Sequence, residues 1–136
     1  MLGKTRRAEF RAILEDYVKR VSHHSPIDIL EVRDSAAALK RLDADRAAAV
    51  ILLDAAGKSR TSEDFARWLA DLRDRGTREI FFLCGDADGF HASLRERAQQ
   101  KLSLGAMTFS HELARVMLAE QLYRAFAMLS GSPYPK

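Results

Sequence analysis

The sequence predicts an α/β domain, a mainly parallel sheet with helices on both faces. Residues 48–53 and 80–84 are short continuous apolar runs, the pattern of strands buried on both sides. Segments of amphipathic helical spacing flank and separate them. Strand and helix patterns alternate along the chain, which favours crossover units over hairpins.

Phe10, Ile13, Leu14, Tyr17, Val18 and Val21 recur at helical spacing, so a first helix is expected over about residues 6–22, ended by the turn at Pro26. Residues 27–32 alternate apolar and acidic side chains, which predicts a strand with one wetter face. Residues 35–42 read as a short helix. The run 48–53 stops at Asp54, and a polar loop around Gly57 follows. Phe65, Trp68, Leu69 and Leu72 mark the next helix, capped by Thr61 or Ser62 and closed by Gly76. After the run 80–84 comes a loop from Gly85 to Gly89, then a helix over residues 91–100. Ser110 caps the last long helix, residues 111–129, and Gly131 ends it.

Bulk properties narrow the function classes. A chain of 136 residues suits one domain, 1–136. No apolar run approaches the roughly 20 residues of a membrane span, and the charged N-terminus lacks the apolar core of a secretory signal. Cys84 is the only cysteine, so an internal disulfide is excluded and a cysteine-based zinc site is disfavoured. His23 and His24 read as a solvated turn, and no metal site is expected. The expected location is the cytoplasm. The net charge is +3, with a surplus of arginine and lysine in residues 1–20. Such a surplus could meet phosphates, but from charge alone an ordinary solvated helix face is the favoured reading.

In parallel sheets ligands sit beyond the carboxyl ends of the strands. The positions there are Leu53-Asp54, Gly85 and the stretch from Leu104, so three separated loops should converge on one edge.

The stretch Ser103-Leu104-Gly105, Thr108, His111, Arg115, Glu-Gln-Leu-Tyr-Arg at 120–124, Gly131 and Pro133-Tyr134 resembles the ribosomal RNA large subunit methyltransferase H family. The likeness continues upstream through residues 50–54, Gly57-Lys58, Thr61-Ser62, Gly85 and Gly89, residues 17–20 and residues 29–33. It covers nearly the whole chain. The resemblance implies a SPOUT-class enzyme with a C-terminal trefoil knot. It implies a homodimer that methylates N3 of a pseudouridine in 23S ribosomal RNA with S-adenosylmethionine. Carried over by position, the cofactor pocket would use Leu53, Gly85, Leu104, Gly105, Ala106, Met107, Thr108 and Phe109. An adenine ring wants apolar walls and backbone hydrogen bonds, which such a run can supply. Plain core packing is the alternative for Met107 and Phe109.

The chain departs from that pattern in four places. The family's first strand, before the glycine-lysine turn, is missing ahead of Met1-Leu2-Gly3-Lys4, which suggests a start upstream of the one given. Asp86 replaces the second of two adjacent glycines, Ser110 replaces a proline, and Pro135 replaces a basic residue. The changes at Asp86 and Pro135 leave open a catalytically impaired relative that docks on the ribosome without methylating it. A flavodoxin-like regulatory domain is a further alternative, with Asp54 as its sole candidate phosphoacceptor.

Methyl transfer from a sulfonium requires no metal. The acceptor imide must lose its proton, so a cation to stabilise the anion and a base are expected. His111, Glu120 and Tyr134 are the catalytic candidates, and none is singled out as the base. Arg115, Arg124 and Lys136 are the expected contacts to RNA phosphate or the target base. Glu120 and Arg124, spaced i,i+4, can also form an ordinary helix ion pair.

Overall fold

The computed structural model describes residues 1–85 and 89–134. The elements run α1 (Ala8–Ser22), α2 (Ser35–Asp43), β1 (Ala49–Ser59), α3 (Ser62–Asp74), β2 (Ile80–Leu83), α4 (Ala92–Arg97), β3 (Gln100–Ser103) and α5 (His111–Leu129). The three strands form a parallel sheet in the order β2-β1-β3.

Strand β1 is central and apolar on both sides, and its alternate residues divide the core. Val50 and Leu52 pack with Leu83 against Ala38 and Leu42 of α2 and Leu94 of α4. Ile51 faces the other way, into Val21, Phe65, Leu69, Leu102, Leu118 and Leu122, which α1, α3, α5 and β3 supply. Period-two alternation sends neighbouring residues to opposite faces, so the sheet is covered on both, as the sequence predicts.

Local caps hold the helix starts. The Asp34 side chain accepts from the Ala37 N–H at 2.9 Å, Thr61 from Asp64 at 3.0 Å and Ser110 from Leu113 at 3.3 Å. Helix α1 has no such residue of its own. The Glu112 carboxylate of α5 accepts instead from the backbone N–H groups of Arg6 and Arg7. Those bonds, the one from Arg7 foremost, hold the Glu112 carboxyl below the usual carboxylate range.

Three sequence expectations need correction. The polar segment around Gly57 is not simply a loop, because β1 continues through it to Ser59. Leu102 is in register with Leu53 and again with Lys58, so residues 54–57 bulge around the end of β3. The helix expected over 91–100 stops at Arg97, and Gln100 already begins β3. The strand expected over 27–32 is not part of the sheet. Only Val32 pairs, in a single parallel bridge with Leu2.

The last correction has a physical cause. Met1–Gly3 is wedged between the end of β2 and Val32. The Leu2 N–H donates to the Cys84 carbonyl at 2.9 Å, the Gly3 N–H to Val32 at 2.8 Å, and the Val32 N–H to Met1 at 2.9 Å. Below this short wedge β2 and residues 27–31 have no ladder between them. A cavity of about 470 Å³ lies there, lined by Met1, Val21, Ile27, Ile29, Ile80 and Phe82 among others. An alternating pattern makes a strand only where a neighbouring backbone is present to pair with it.

The N-terminal ammonium sits in this wedge and donates to the Leu30 carbonyl at 2.8 Å. Burial lowers its pKa from 8.0. The unfolded chain then holds this proton more tightly than the folded one, so stability rises with pH through the window ending near 8.0. The melting temperature is expected to climb as the pH rises toward about 8. An N-acetylated chain, melted in parallel, is expected to lack that component of the rise.

Candidate active site at the carboxyl edge of the sheet

Strand register brings the expected cofactor loops together. Leu52 of β1 is level with Leu83 of β2, and Leu53 with Leu102 of β3. Neighbouring strands lie about 4.8 Å apart. Gly85 is two residues beyond Leu83 and Leu104 two beyond Leu102, so Leu53, Gly85 and Leu104 share one edge.

The turn that follows β3 is built around Ser103. Its hydroxyl donates to the Gly105 carbonyl at 2.9 Å and accepts from the Gly105 N–H at 3.1 Å. Gly105 has φ +149°, a backbone state that side-chain-bearing residues rarely adopt. Ala106, Met107 and Thr108 are exposed, Met107 at 77%, while Leu104 and Phe109 are half-buried. Among the described residues, the backbone groups of 106–109 make no hydrogen bond. An open apolar rim with unspent backbone donors and acceptors has the chemistry to take a purine edge.

Asp54, at the same edge, is already engaged. It accepts from the Ala56 N–H at 2.9 Å and from the Arg95 guanidinium at 2.6 Å. The Ala56 bond first, then Arg95, hold its carboxyl below the usual range.

A second cluster adjoins this edge. A cavity of about 490 Å³ is bounded by Tyr17, Arg60, Ser62, Leu104, Glu120 and Arg124, together with further apolar residues. Glu120 organises its polar side. It accepts from Arg124 Nε at 3.1 Å, from Gln121 Nε2 at 3.0 Å and from the Tyr134 hydroxyl at 3.0 Å. Ser62 in turn donates to Gln121 at 2.8 Å, tying α3 to α5. The bond it donates to Glu120 pushes the Arg124 pKa up. Burial, with hydrogen bonds to Tyr17 and Glu120, pushes the Tyr134 phenol up as well. Tyr134 is therefore a protonated donor at neutral pH. Its ring packs on Tyr123 at 4.6 Å, which fixes the start of the tail against α5.

Glu120, Arg124 and Leu104 thus meet in one place, and Tyr134 joins them through Glu120. His111 begins α5 and does not line this cavity. Lys136, Asp86 and Pro135 lie outside the described residues.

Arg115 is a correction. Expected on the surface, it is only 1% exposed. Its guanidinium donates to Thr5 Oγ1 at 2.9 Å and to the Leu2 carbonyl, pinning the N-terminal segment. A side chain so enclosed makes no RNA contact. Arg115→Ala is expected to lower stability by about 3 kcal/mol, because it opens a cavity and strands two acceptors. Methyl transfer per folded molecule is expected to stay at the wild-type rate. Urea titration and an activity assay on the same sample check both.

Sequence reasoning passed over Arg60. It follows the last residue of β1 and precedes the Thr61 cap of α3. A cation just past a strand's carboxyl end was the available signal.

No helix among the described residues is long and apolar enough to cross a membrane. No group of three or more histidine, cysteine or acidic side chains among them is placed to hold a metal.

Comparison with known proteins agrees with this geometry. A family model described as "Predicted SPOUT methyltransferase" matches residues 1–135. The chain is 41% identical to the ribosomal RNA large subunit methyltransferase H of Dinoroseobacter shibae, over 98% of this chain and 94% of that one. It is 37% identical to the protein of the same name from a Geobacter species (strain M21), with the same coverages. The counterpart from Koribacter versatilis is 38% identical over 98% of this chain and 92% of its own. These matches leave no place for a flavodoxin-like regulator. A family match over residues 1–135 and a parallel sheet agree, and the chain belongs to the SPOUT methyltransferase family.

Proposed function

We propose that this chain transfers a methyl group from S-adenosylmethionine to N3 of a pseudouridine in 23S ribosomal RNA, acting in the cytoplasm as a homodimer. The observation that carries the proposal is the shared edge of Leu53, Gly85 and Leu104, continued by an exposed apolar turn with unspent backbone groups. The names of the relatives supply the substrate class.

When bound, S-adenosylmethionine supplies a methyl group already activated on a sulfonium. Leu53, Gly85, Leu104, Gly105, Ala106, Met107, Thr108 and Phe109 would hold it at the edge. In the acceptor, N3 would give up its proton to solvent water as the N–C bond forms and the S–C bond of the donor breaks. Arg124 stabilises the imide anion, and Glu120 aims the guanidinium. Tyr134, protonated and bonded to Glu120, orients that pair. Lys136 remains a proposed RNA contact. Much of the rate comes from holding donor and acceptor in line.

The dimer is proposed from α5. Leu113, Val116, Met117, Leu118, Leu122, Tyr123 and Phe126 make it apolar nearly all round, as suits a helix covered on both sides. Ile13 on the neighbouring α1 is 44% exposed. The trefoil knot belongs to the same reading.

Labelled S-adenosylmethionine incubated with ribosomes lacking the modification tests the proposal. Label on N3 of one pseudouridine of 23S RNA is the expected result. Absence of label, with the protein folded and the cofactor present, would overturn it.

A further inference from the structure

Of the residues expected to meet RNA, the two arginines are already engaged. Arg115 is enclosed, and Arg124 is held by its bond to Glu120 at 3.1 Å in the place proposed for the acceptor base. Arg60 differs. It lines the same cavity as Leu104, Glu120 and Arg124. Its guanidinium lies over the Trp68 ring, 4.3 Å from the centroid. Among the described residues it forms no ion pair. Asp64, an acid in the first turn of α3, is bonded to Arg67 instead.

Trp68 is itself fixed. It packs on Phe65 at 5.8 Å and edge-on to Phe82 at 6.4 Å. The aromatic platform therefore belongs to the core, and it holds a cation at the mouth of the cleft without neutralising it. A guanidinium so held loses little side-chain freedom on binding and keeps its in-plane donors for a planar or tetrahedral anion.

We propose that Arg60, laid on Trp68, is a substrate-positioning residue that takes an RNA backbone phosphate next to the target nucleotide. The proposal rests on the rRNA reading above and adds a residue that reading did not contain. Phosphate contacts fix register and orientation without reading sequence. Arg60 would thus set where the acceptor base enters the cleft, and Arg124 would act on the base itself.

The test uses full-length Arg60→Ala and Arg60→Lys with ribosomes lacking the modification. The readouts are equilibrium binding as a function of salt, methyl-transfer kinetics, melting temperature and sedimentation. Arg60→Ala is expected to weaken binding and raise KM about tenfold with kcat within about twofold, and to reduce the slope of log K against log salt by about 1. Arg60→Lys, which keeps the charge but not the planar fork, is expected to recover part of the loss. Melting temperature and the sedimenting species should match wild type. An unchanged salt slope and KM in Arg60→Ala would overturn the proposal. So would dissociation into monomers, which would make Arg60 a contact between subunits. If the wild type binds ribosomes yet transfers no methyl group, the functional reading fails, while the salt slope still decides whether Arg60 meets phosphate.

Discussion

Gly57→Ala is expected to lower the melting temperature by roughly 10 °C and to abolish cofactor binding together. A β-carbon at position 57 would lie 2.7 Å from the Lys101 carbonyl carbon, 2.8 Å from its oxygen and 2.9 Å from the Leu102 nitrogen. All three atoms are backbone, so no side chain can swing aside. Either the bulge of residues 54–57 lifts or β3 shifts, and each breaks the double register of Leu102 with Leu53 and Lys58. Strain of this kind costs about 3 kcal/mol. At this chain length that corresponds to a fall of some 10 °C. Function suffers by the same displacement, because Leu102 leads into Ser103 and Leu104 at the cleft. Thermal unfolding and calorimetry with S-adenosylmethionine check the two effects. A variant that melts like the wild type would show that the crossing is not tightly pinned.

The second large effect is a gain. A chain carrying five or six apolar β-forming residues ahead of Met1 is expected to melt roughly 10 °C higher than the chain starting at Met1. The slot beside β2 supplies the reason. It is mostly apolar, about 470 Å³ in volume, and flanked by β2 and by residues 27–31. Leu2 already bridges the two sides at the top, parallel to Val32. An extended segment continuing downward would pair with both flanking backbones and bury two or three side chains. That is worth about 3–5 kcal/mol after the entropy of ordering the segment. It would also turn the half-buried ammonium of Met1 into an ordinary amide. An equally long glycine-serine extension is the control and is expected to remove the charge effect alone. Equal melting of the two extended chains would show that the slot does not accept a strand.

The fold was legible wherever the pattern reports on burial by the chain's own neighbours. Residues 48–53 read as a buried strand because both of its faces are covered, and residues 80–84 as a strand although Ile80, Phe81 and Phe82 are only half-buried beside the slot. Thr61 and Ser110 read as caps because capping is local chemistry. Residues 27–32 misled for the opposite reason. Their alternation is genuine, but pairing needs a neighbour, and only Leu2 is there. Strand β3 was hidden because it opens with Gln100 and Lys101, both exposed, and is held by register with β1 rather than by its own apolarity.

The edge proposed as the site follows from the same strand pattern. A strand's carboxyl edge can be located from strand ends alone, and Leu53, Gly85 and Leu104 lie along it. Arg115 was misjudged although its phase was available. It sits at i−3, i−4 and i−7 from Leu118, Ala119 and Leu122, on the face that α5 buries. Charge suggested solvent, and helical phase was the better guide. Arg60 carried no motif of its own. Its role depends on Trp68 eight residues later and on the cavity wall that α5 supplies, both tertiary facts.

The central claim is that the ends of three parallel strands form one cleft that holds S-adenosylmethionine. Amide hydrogen exchange with and without the cofactor tests it most directly. Slowed exchange is expected together at residues 53–57, at Gly85 and across residues 104–109, with α2 and α4 unchanged. Protection confined to one of these segments, or appearing only in the slot beside β2, would contradict the claim.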